Sequence, residues 1–266
     1  MIRPLAINRK KVKKATKLIQ QKPVLIMLTL AVAFSMWELI WFLTGGIGFA
    51  HSTEVALYLG GLAWSPIFWL SIAQTLVLTL IGLAGGVVLS TLIGVPIGSA
   101  PNLEASSRGV LVFSRAIPSV ALIPLLMAAI GSRTVLVIWL VTWLVTIKMV
   151  FFVIRGVRDL DQTLHDQSRL LQLGWVHQFF LVRLPAASAI ILTGARLSVN
   201  RAYGAVLLAG LLAGTPGIGR EIQLARFNSE TLAVLSYTVV AALVGLLLFR
   251  LFQSLENRFI AWRPAG

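Results

Sequence analysis

Cysteine is absent from the sequence, and charged residues are scarce. Without cysteine, a disulfide framework and thiol chemistry are both excluded. Charged residues make up 12% of the chain, against about a quarter in soluble domains, while hydrophobic residues make up 58%. Water is therefore not the main solvent of this protein.

Acidic residues are rarer than basic ones, with 9 Asp and Glu against 23 Lys and Arg and a net charge of +14. The basic residues flank apolar runs and do not form a solvated face with aromatic stacking positions, so we expect no nucleic-acid partner. Three scattered histidines and the lack of paired carboxylates at membrane depth give no metal site and argue against a membrane-embedded enzyme.

Apolar runs of bilayer length predict membrane-spanning helices. Residues 135–147 and 232–249 are apolar on nearly every side, unlike the alternating ten-residue segments of a membrane barrel. We predict an all-α, polytopic membrane protein with six spans: 24–43, 72–97, 117–131 (a short one), 134–154, 186–212 and 231–252. Residues 1–23 form a basic N-terminal segment, 24–252 the transmembrane domain, and 253–266 a C-terminal tail.

Basic residues are distributed unevenly across this topology. Segments on the side of the two termini hold seventeen Lys and Arg, whereas the segments on the other side hold Arg133, Arg220 and Arg226. Short cytoplasmic loops are enriched in Lys and Arg, so both termini are expected in the cytoplasm. The run from residue 24 is longer than a signal-peptide core, and we interpret it as a permanent span.

The longest polar connection, 155–185, contains an apolar stripe. Its members recur largely at three- and four-residue intervals: Leu170, Leu171, Leu173, Val176, Phe179, Phe180 and Val182. The pattern predicts an amphipathic helix. Either a partner protein or the lipid headgroups would cover its apolar side, and the pattern alone leaves both open.

The spacing in this connection resembles the cytoplasmic loop of binding-protein-dependent permeases of ABC importers. That loop reads Glu-Ala-Ala, three residues, Gly, nine residues, Ile, one residue, Leu-Pro. The matching positions here are Asp166, Gln167 and Ser168, then Gln172, Val182, Leu184 and Pro185. Gln172 replaces the glycine that ends a helix in the family, and glutamine favours continued helix. Gly174 is placed to provide the turn instead.

Other pieces are similar to the taurine, alkanesulfonate and nitrate permeases, and they extend over nearly the whole chain. They are Trp37-Glu38-Leu39, Arg115-Ala116-Ile117-Pro118, Leu122-Ile123-Pro124, Thr193-Gly194-Ala195-Arg196, Gly217-Ile218-Gly219 and Trp262-Arg263-Pro264. The resemblance implies a type I (MetI-like) permease in the bacterial inner membrane. Its implied partners are ABC ATPase subunits, an extracytoplasmic substrate-binding protein, and a second permease subunit in a homodimer or heterodimer. The resemblance also implies that the segment 155–185, with the matching positions named above, docks on the ATPase and couples it to transport.

No phosphate-binding loop of the form Gly-x-x-x-x-Gly-Lys-Ser/Thr occurs in the sequence, and the glycine-rich stretch 214–219 has no phosphate-binding lysine. We therefore expect no catalytic residue and no cofactor in this chain, with ATP and magnesium in the partner ATPase. Asp166 either caps a helix or pairs with an ATPase arginine, or it is only a solvated charge. Pro185 also suits the first turn of a helix.

Two charges inside the spans, Lys148 and Arg201, lie where the family usually has uncharged residues. Arg201 lies about 24 Å along a helix from Pro185, too far for its side chain to reach the cytoplasm. One hypothesis is that Arg201, Asn200, Tyr203 and Lys148 line the pathway of a small, sulfonate-, taurine- or nitrate-like anion.

Structural roles are the alternatives for these charges. Arg201 would pair with Glu38 or contact the second permease, and Lys148 would reach the membrane interface. Gly85, Gly86, Gly204 and Gly210 suit close helix approach. An ATP-independent secondary transporter is the alternative function, although the inverted repeat typical of that class is not found in the sequence.

Overall fold

The structure, a computed structural model, describes residues 9–158 and 174–259, and this part of the chain contains helices and no strand. The helices are α1 (Arg9–Thr44), α2 (Ser52–Leu62), α3 (Pro66–Ser99), α4 (Pro101–Ala116), α5 (Ser119–Ala129), α6 (Arg133–Arg158), α7 (Trp175–Gln178), α8 (Leu184–Ala213), α9 (Ile218–Phe227) and α10 (Thr231–Phe259). A π-helical turn, Phe179–Arg183, joins α7 to α8. The predicted all-α class is confirmed.

Five segments of the described chain are long and apolar enough to cross a bilayer, and they fall in α1, α3, α6, α8 and α10. Five of the predicted spans lie within these helices: 24–43, 72–97, 134–154, 186–212 and 231–252. The apolar runs therefore placed these spans correctly.

The predicted third span, 117–131, is not a single straight helix in the structure. Helices α4 and α5 meet at 88° and are long and apolar enough to cross only as a bent pair. Pro118 has no N–H and disfavours helical backbone at the preceding residue, and Ile117 is extended with φ −68° and ψ 120°. The prediction thus placed a helix break at the start of a span and missed α4, which has no buried residue.

Helices α3 and α6 run parallel and pack closely along a glycine face. Three glycines of α3 face three valines of α6 in the same order: Gly82, Gly86 and Gly94 face Val141, Val145 and Val153. A Cβ at Gly82 would lie only 2.5 Å from Val141 Cγ1. Glycine therefore permits this approach, as small residues do between membrane helices, and the predicted packing role of Gly86 is confirmed.

Helix α8 runs antiparallel to α6 and completes the core. A Cβ at Gly194 would lie 2.9 Å from Met149 Sδ, whereas Arg133 Nη1 lies 3.4 Å from the Gly214 carbonyl at the far end. We call the end where α6 finishes and α8 begins the basic end, since three arginines lie in the last turns of the helices that finish there: Arg155, Arg158 and Arg258. The other end is called the opposite end.

At the opposite end, α9 folds back onto α8. A Cβ at Gly210 would lie 2.7 Å from Gly219 Cα, which confirms the predicted close approach at Gly210. The Ile218 N–H donates a hydrogen bond of 2.9 Å to Thr75 Oγ1, and Gly217 has φ +129°, a backbone region that favours glycine. Neither α9 nor α2 was predicted, because both are shorter than a span.

Helix α1 is fastened through the loop that precedes α2. Glu38 Oε1 accepts a 3.1 Å hydrogen bond from the Ser52 N–H, and Glu38 Oε2 lies 2.7 Å from His51 Nδ1. Trp37 Nε1 donates to the Ala50 carbonyl at 3.0 Å. The Glu38 carboxylate thus satisfies the first turn of α2 and compensates its helix dipole.

Candidate functional site

A cavity of about 430 Å³ lies between α6, α8 and the bend that joins α4 to α5. Its polar side chains are Ser114, Arg115, Ser119, Lys148, Asn200 and Arg201. Its other lining residues are Ile117, Trp143, Leu144, Ile147, Gly204, Ala205 and Leu208. Among the described residues that line it, three are basic and none is acidic.

Helical periodicity explains which residues face the cavity. Leu144 and Lys148 lie one turn apart on α6, and Asn200, Gly204 and Leu208 follow at four-residue intervals on α8. The bend at Pro118 brings the last turn of α4, with Arg115, to the same place. One face of α6, one face of α8 and the bend between α4 and α5 therefore line the same cavity.

Arg201 forms no ion pair with any carboxylate of the described residues. The suggested pair of Arg201 with Glu38 is wrong. The Glu38 carboxylate lies near the C-terminal end of α1, where it binds Ser52 and His51. Arg201 is exposed at the cavity, just past the middle of α8. The structure thus leaves an unpaired guanidinium at membrane depth, where charges are costly and mark pathways.

Lys148 does not extend to the membrane interface, contrary to the structural alternative. Its Nζ donates a hydrogen bond to the Leu197 carbonyl of α8. Leu197 precedes Arg201 by one helical turn, so the two cations lie close together along the cavity wall. Lys148 therefore joins α6 to α8 beside Arg201.

Tyr203 lies on a different face of α8 from Asn200 and Arg201. Its ring is buried, and its hydroxyl donates a 2.6 Å hydrogen bond to the Ala241 carbonyl of α10. Successive helical residues are rotated by about 100°, so proximity in sequence does not bring Tyr203 to the cavity. Of the four candidate pathway residues, the structure brings together Lys148, Asn200 and Arg201.

Arg196, from the family-like piece 193–196, has a structural partner. Its Nε lies 2.6 Å from Glu256 Oε2 on α10, and Thr193 Oγ1 donates to Glu256 Oε1 at 2.7 Å. The side chains of Arg196 and Glu256 are 23% and 11% exposed. This paired charge ties α8 to α10 near the basic end.

The structure describes only some of the residues in the segment 155–185 that the family resemblance assigns to coupling with the ATPase. Asp166, Gln167, Ser168 and Gln172 lie outside the described residues. Val182 is half-buried in the π-helical turn, Leu184 begins α8 and packs on the core, and exposed Pro185 is its second residue. Pro185 thus occupies the first turn of a helix, where its missing N–H costs no hydrogen bond.

Sequence reasoning missed Arg115 and Trp143 as cavity residues. Arg115 is held near α6, with its guanidinium carbon 4.8 Å from the centroid of the Phe151 ring. The signal available in the sequence was Pro118, which breaks the helix three residues after Arg115. Trp143 lies one turn before Ile147 on the cavity face of α6.

Comparison with known families decides what kind of protein carries this cavity. The model of the family "Binding-protein-dependent transport system inner membrane component" matches residues 86–261, which is more than half of the chain and includes the whole cavity lining. The chain belongs to this family. It is a membrane-spanning permease component of a binding-protein-dependent ABC importer, and the secondary-transporter alternative is wrong.

Among its relatives is the putative aliphatic sulfonates transport permease protein SsuC of Bacillus subtilis, 28% identical over 88% of this chain and 85% of the relative. The taurine transport system permease protein TauC of Escherichia coli is 27% identical over 73% of this chain and 70% of its own length. The nitrate import permease protein NrtB of Synechocystis is 27% identical over 66% of this chain and 64% of its own length.

Solved structures show the fold. The permease fold in an inward-facing structure of the MetNI methionine ABC transporter matches with a TM-score of 0.61 at 18% identity, covering 74% of this chain and 97% of that chain. A bacterial ABC transporter for import of the acidic polysaccharide alginate matches with a TM-score of 0.60 at 13% identity, covering 91% and 99%. The MetI-like architecture predicted for this permease is confirmed.

Proposed function

We propose that this permease conducts a small anion, and that the solute passes through the cavity lined by Arg115, Lys148 and Arg201. The single observation that carries the proposal is the charge of the cavity: in the part of the chain that the structure describes, three basic side chains and no acidic one line it. Cations held at membrane depth without a counter-charge favour an anion through charge-assisted hydrogen bonds.

The exposure of this site supports a pathway. Asn200, Arg201 and Gly204 form an exposed stripe on α8. An unpaired arginine in contact with lipid hydrocarbon would be strongly disfavoured, so this stripe requires water or a second protein. A second permease subunit, identical or related, closes the cavity and forms the other half of the pathway.

The relatives agree in the chemistry of their solutes. Those named above are permeases for aliphatic sulfonates, taurine and nitrate. Sulfonates and nitrate are anions, and taurine carries a sulfonate group. An anionic solute of this kind, delivered by an extracytoplasmic binding protein, is consistent with the three cations of this cavity.

Coupling to ATP takes place through the segment 155–185. It connects the end of α6 to the start of α8, the two helices that carry Lys148 and Arg201. Movement of a docked ATPase subunit at this segment would therefore tilt both walls of the cavity. ATP and magnesium belong to that partner, and this chain does not hydrolyse ATP.

The basic end faces the cytoplasm in this account, with both termini on that side. Arg155 and Arg158 lie in the last turn of α6, and Arg258 lies in the last turn of α10. Cytoplasmic segments carry an excess of such residues. This orientation places the segment 155–185 where an ATPase can reach it.

Uptake by the reconstituted importer tests the proposal. The permease, its ATPase and its binding protein are placed in proteoliposomes, and ATP-dependent uptake of nitrate, taurine and a short alkanesulfonate is measured. Arg201→Gln should abolish uptake of the transported anion, whereas Arg250→Gln, a matched exposed arginine on α10 outside the cavity, should not. Full uptake in Arg201→Gln, or transport of cations, would refute the proposal.

A further inference from the structure

The lining of the cavity is divided between polar and apolar walls. Besides the three cations, it contains the side chains of Trp143, Leu144 and Ile147 on α6 and of Leu208 on α8. A bare inorganic anion needs only the cations, and an apolar wall offers it nothing. Small-molecule sites combine an apolar wall with a few polar groups when the ligand has both kinds of surface.

The two kinds of lining begin at the same height along the helix axes but differ in how far they extend. Lys148 touches the Leu197 carbonyl, so these residues lie at the same height. From that height toward the opposite end, Arg201 is about 6 Å away, Trp143 about 7.5 Å, and Leu208 about 16 Å, at 1.5 Å per residue. Lys148 and Arg201 therefore lie within about 6 Å of this height, whereas the apolar lining begins beside them and continues about 10 Å further, to Leu208.

Gly204 leaves open space in this apolar part. A Cβ built there meets no atom within 4 Å, whereas a Cβ at Gly194 or Gly210 on the same helix would lie within 3 Å of a neighbour. Glycine destabilises a helix interior by about 1 kcal/mol relative to alanine. At Gly194 and Gly210 close packing offsets this cost, whereas Gly204 contacts no neighbouring helix among the described residues and leaves space in the cavity, so the predicted packing role of Gly204 is not seen within this part of the chain.

We propose that Trp143 and Gly204 are specificity-determining residues that accept the apolar part of an organic anion, while Arg201 and Lys148 hold its charged group. This inference rests on the proposed function of the cavity and adds a requirement for the solute. The solute carries an apolar body, which lies in the space beside Gly204 and against the indole of Trp143.

The apolar wall gives a measurable dependence on chain length. Each methylene group removed from water strengthens binding by about fourfold. An alkanesulfonate with a hexyl chain should therefore bind much more tightly than methanesulfonate, while nitrate should bind no better than methanesulfonate. A site made only of cations would bind all three alike.

Protection of an introduced thiol measures this dependence without a contribution from the binding protein. The chain has no cysteine of its own, so Asn200→Cys provides a single thiol in the cavity. In the permease–ATPase complex in lipid nanodiscs, its modification by an anionic thiol reagent is followed with increasing nitrate, methanesulfonate or hexanesulfonate. Hexanesulfonate should protect at a concentration at least about tenfold lower than methanesulfonate.

Two variants in the Asn200→Cys background test the assigned residues. Gly204→Leu fills the space, and Trp143→Ala removes the indole; in both, hexanesulfonate should protect no better than methanesulfonate. Gly60→Leu is the matched control, because Gly60 lies in helix α2 and a Cβ there also meets no atom within 4 Å. It should keep the full difference between the two sulfonates.

The outcomes separate this inference from the proposed function. Equal protection by all three anions in the parent, or an undiminished chain-length effect in both variants, would overturn the roles of Trp143 and Gly204 while leaving an anion site. Absence of protection by every anion, together with full uptake in Arg201→Gln, would overturn both.

Discussion

Two arginines of α8, five residues apart, lie in opposite surroundings. Arg196 is paired with Glu256 of α10, whose carboxylate also accepts a hydrogen bond from Thr193, whereas Arg201 is exposed at the cavity beside Lys148 and has no carboxylate partner among the described residues. Both are charges within one membrane-spanning helix. The difference teaches that the presence of a carboxylate partner, and not the position of the charge in a span, distinguishes a structural role from a role in the pathway.

Reversing the charge at Arg201 should give the largest effect on function. Arg201→Glu removes charge-assisted hydrogen bonds worth about 1.5–3 kcal/mol each and adds repulsion toward an anion, so we expect at least about a hundredfold loss of uptake. The amount of assembled complex should stay near wild type, because Arg201 has no carboxylate partner among the described residues to lose. Uptake in proteoliposomes and size-exclusion chromatography measure the two properties.

Removing Arg196 should lower stability and leave uptake nearly unchanged, the reverse of the effect expected at Arg201. Arg196→Ala leaves the Glu256 carboxylate unpaired, and loss of one partner of a buried pair costs about 3 kcal/mol; partial exposure reduces this to about 2 kcal/mol. We expect a lower thermal unfolding temperature but near-normal uptake per assembled complex. The double variant Arg196→Glu with Glu256→Arg should recover part of the stability, and no recovery would argue against a direct pair.

Removing the ammonium of Lys148 should have an intermediate effect. Lys148→Met keeps the length of the side chain but loses the hydrogen bond to the Leu197 carbonyl and one cavity cation. A loss of about 1–1.5 kcal/mol corresponds to roughly tenfold lower uptake. Lys148→Arg should retain most uptake, and a variant without charge that transports normally would assign Lys148 to packing alone.

The smallest effect is expected at Tyr203. Tyr203→Phe removes only the hydroxyl that donates to the Ala241 carbonyl, a hydrogen bond that contributes about 1 kcal/mol to stability. Uptake should be unchanged, since the ring does not line the cavity. A clear loss of uptake without loss of stability would return Tyr203 to the pathway.

The sequence predicted the membrane helices well because their signal is local. Bilayer length and apolar composition are properties of each segment, and α1, α3, α6, α8 and α10 follow them. The bend between α4 and α5 was missed in the prediction of span 117–131, although Pro118 was visible. A proline shows where a helix breaks but not the angle at which the chain continues.

The candidate site was predicted in part, for a different physical reason. Lys148, Asn200 and Arg201 stood out because polar groups at membrane depth need a reason to be there. Three features depend on how the helices pack, and a local sequence pattern does not contain that information. They are the orientation of Tyr203, the contact of Glu38 with His51 and the position of Arg115 at the cavity. The coupling role of Asp166, Gln167, Ser168 and Gln172 stays a prediction.

The most direct test of the central claim is the charge preference of the cavity itself. In the otherwise cysteine-free chain, the rates at which Asn200→Cys reacts with anionic sulfonatoethyl methanethiosulfonate and with its cationic trimethylammonioethyl analogue are compared, each divided by its rate with free cysteine in solution. The account predicts a normalised rate at least about tenfold higher for the anionic reagent, because fixed positive charges concentrate anions, and a loss of this preference in Arg201→Gln. Equal normalised rates, or a preference for the cationic reagent, would contradict it.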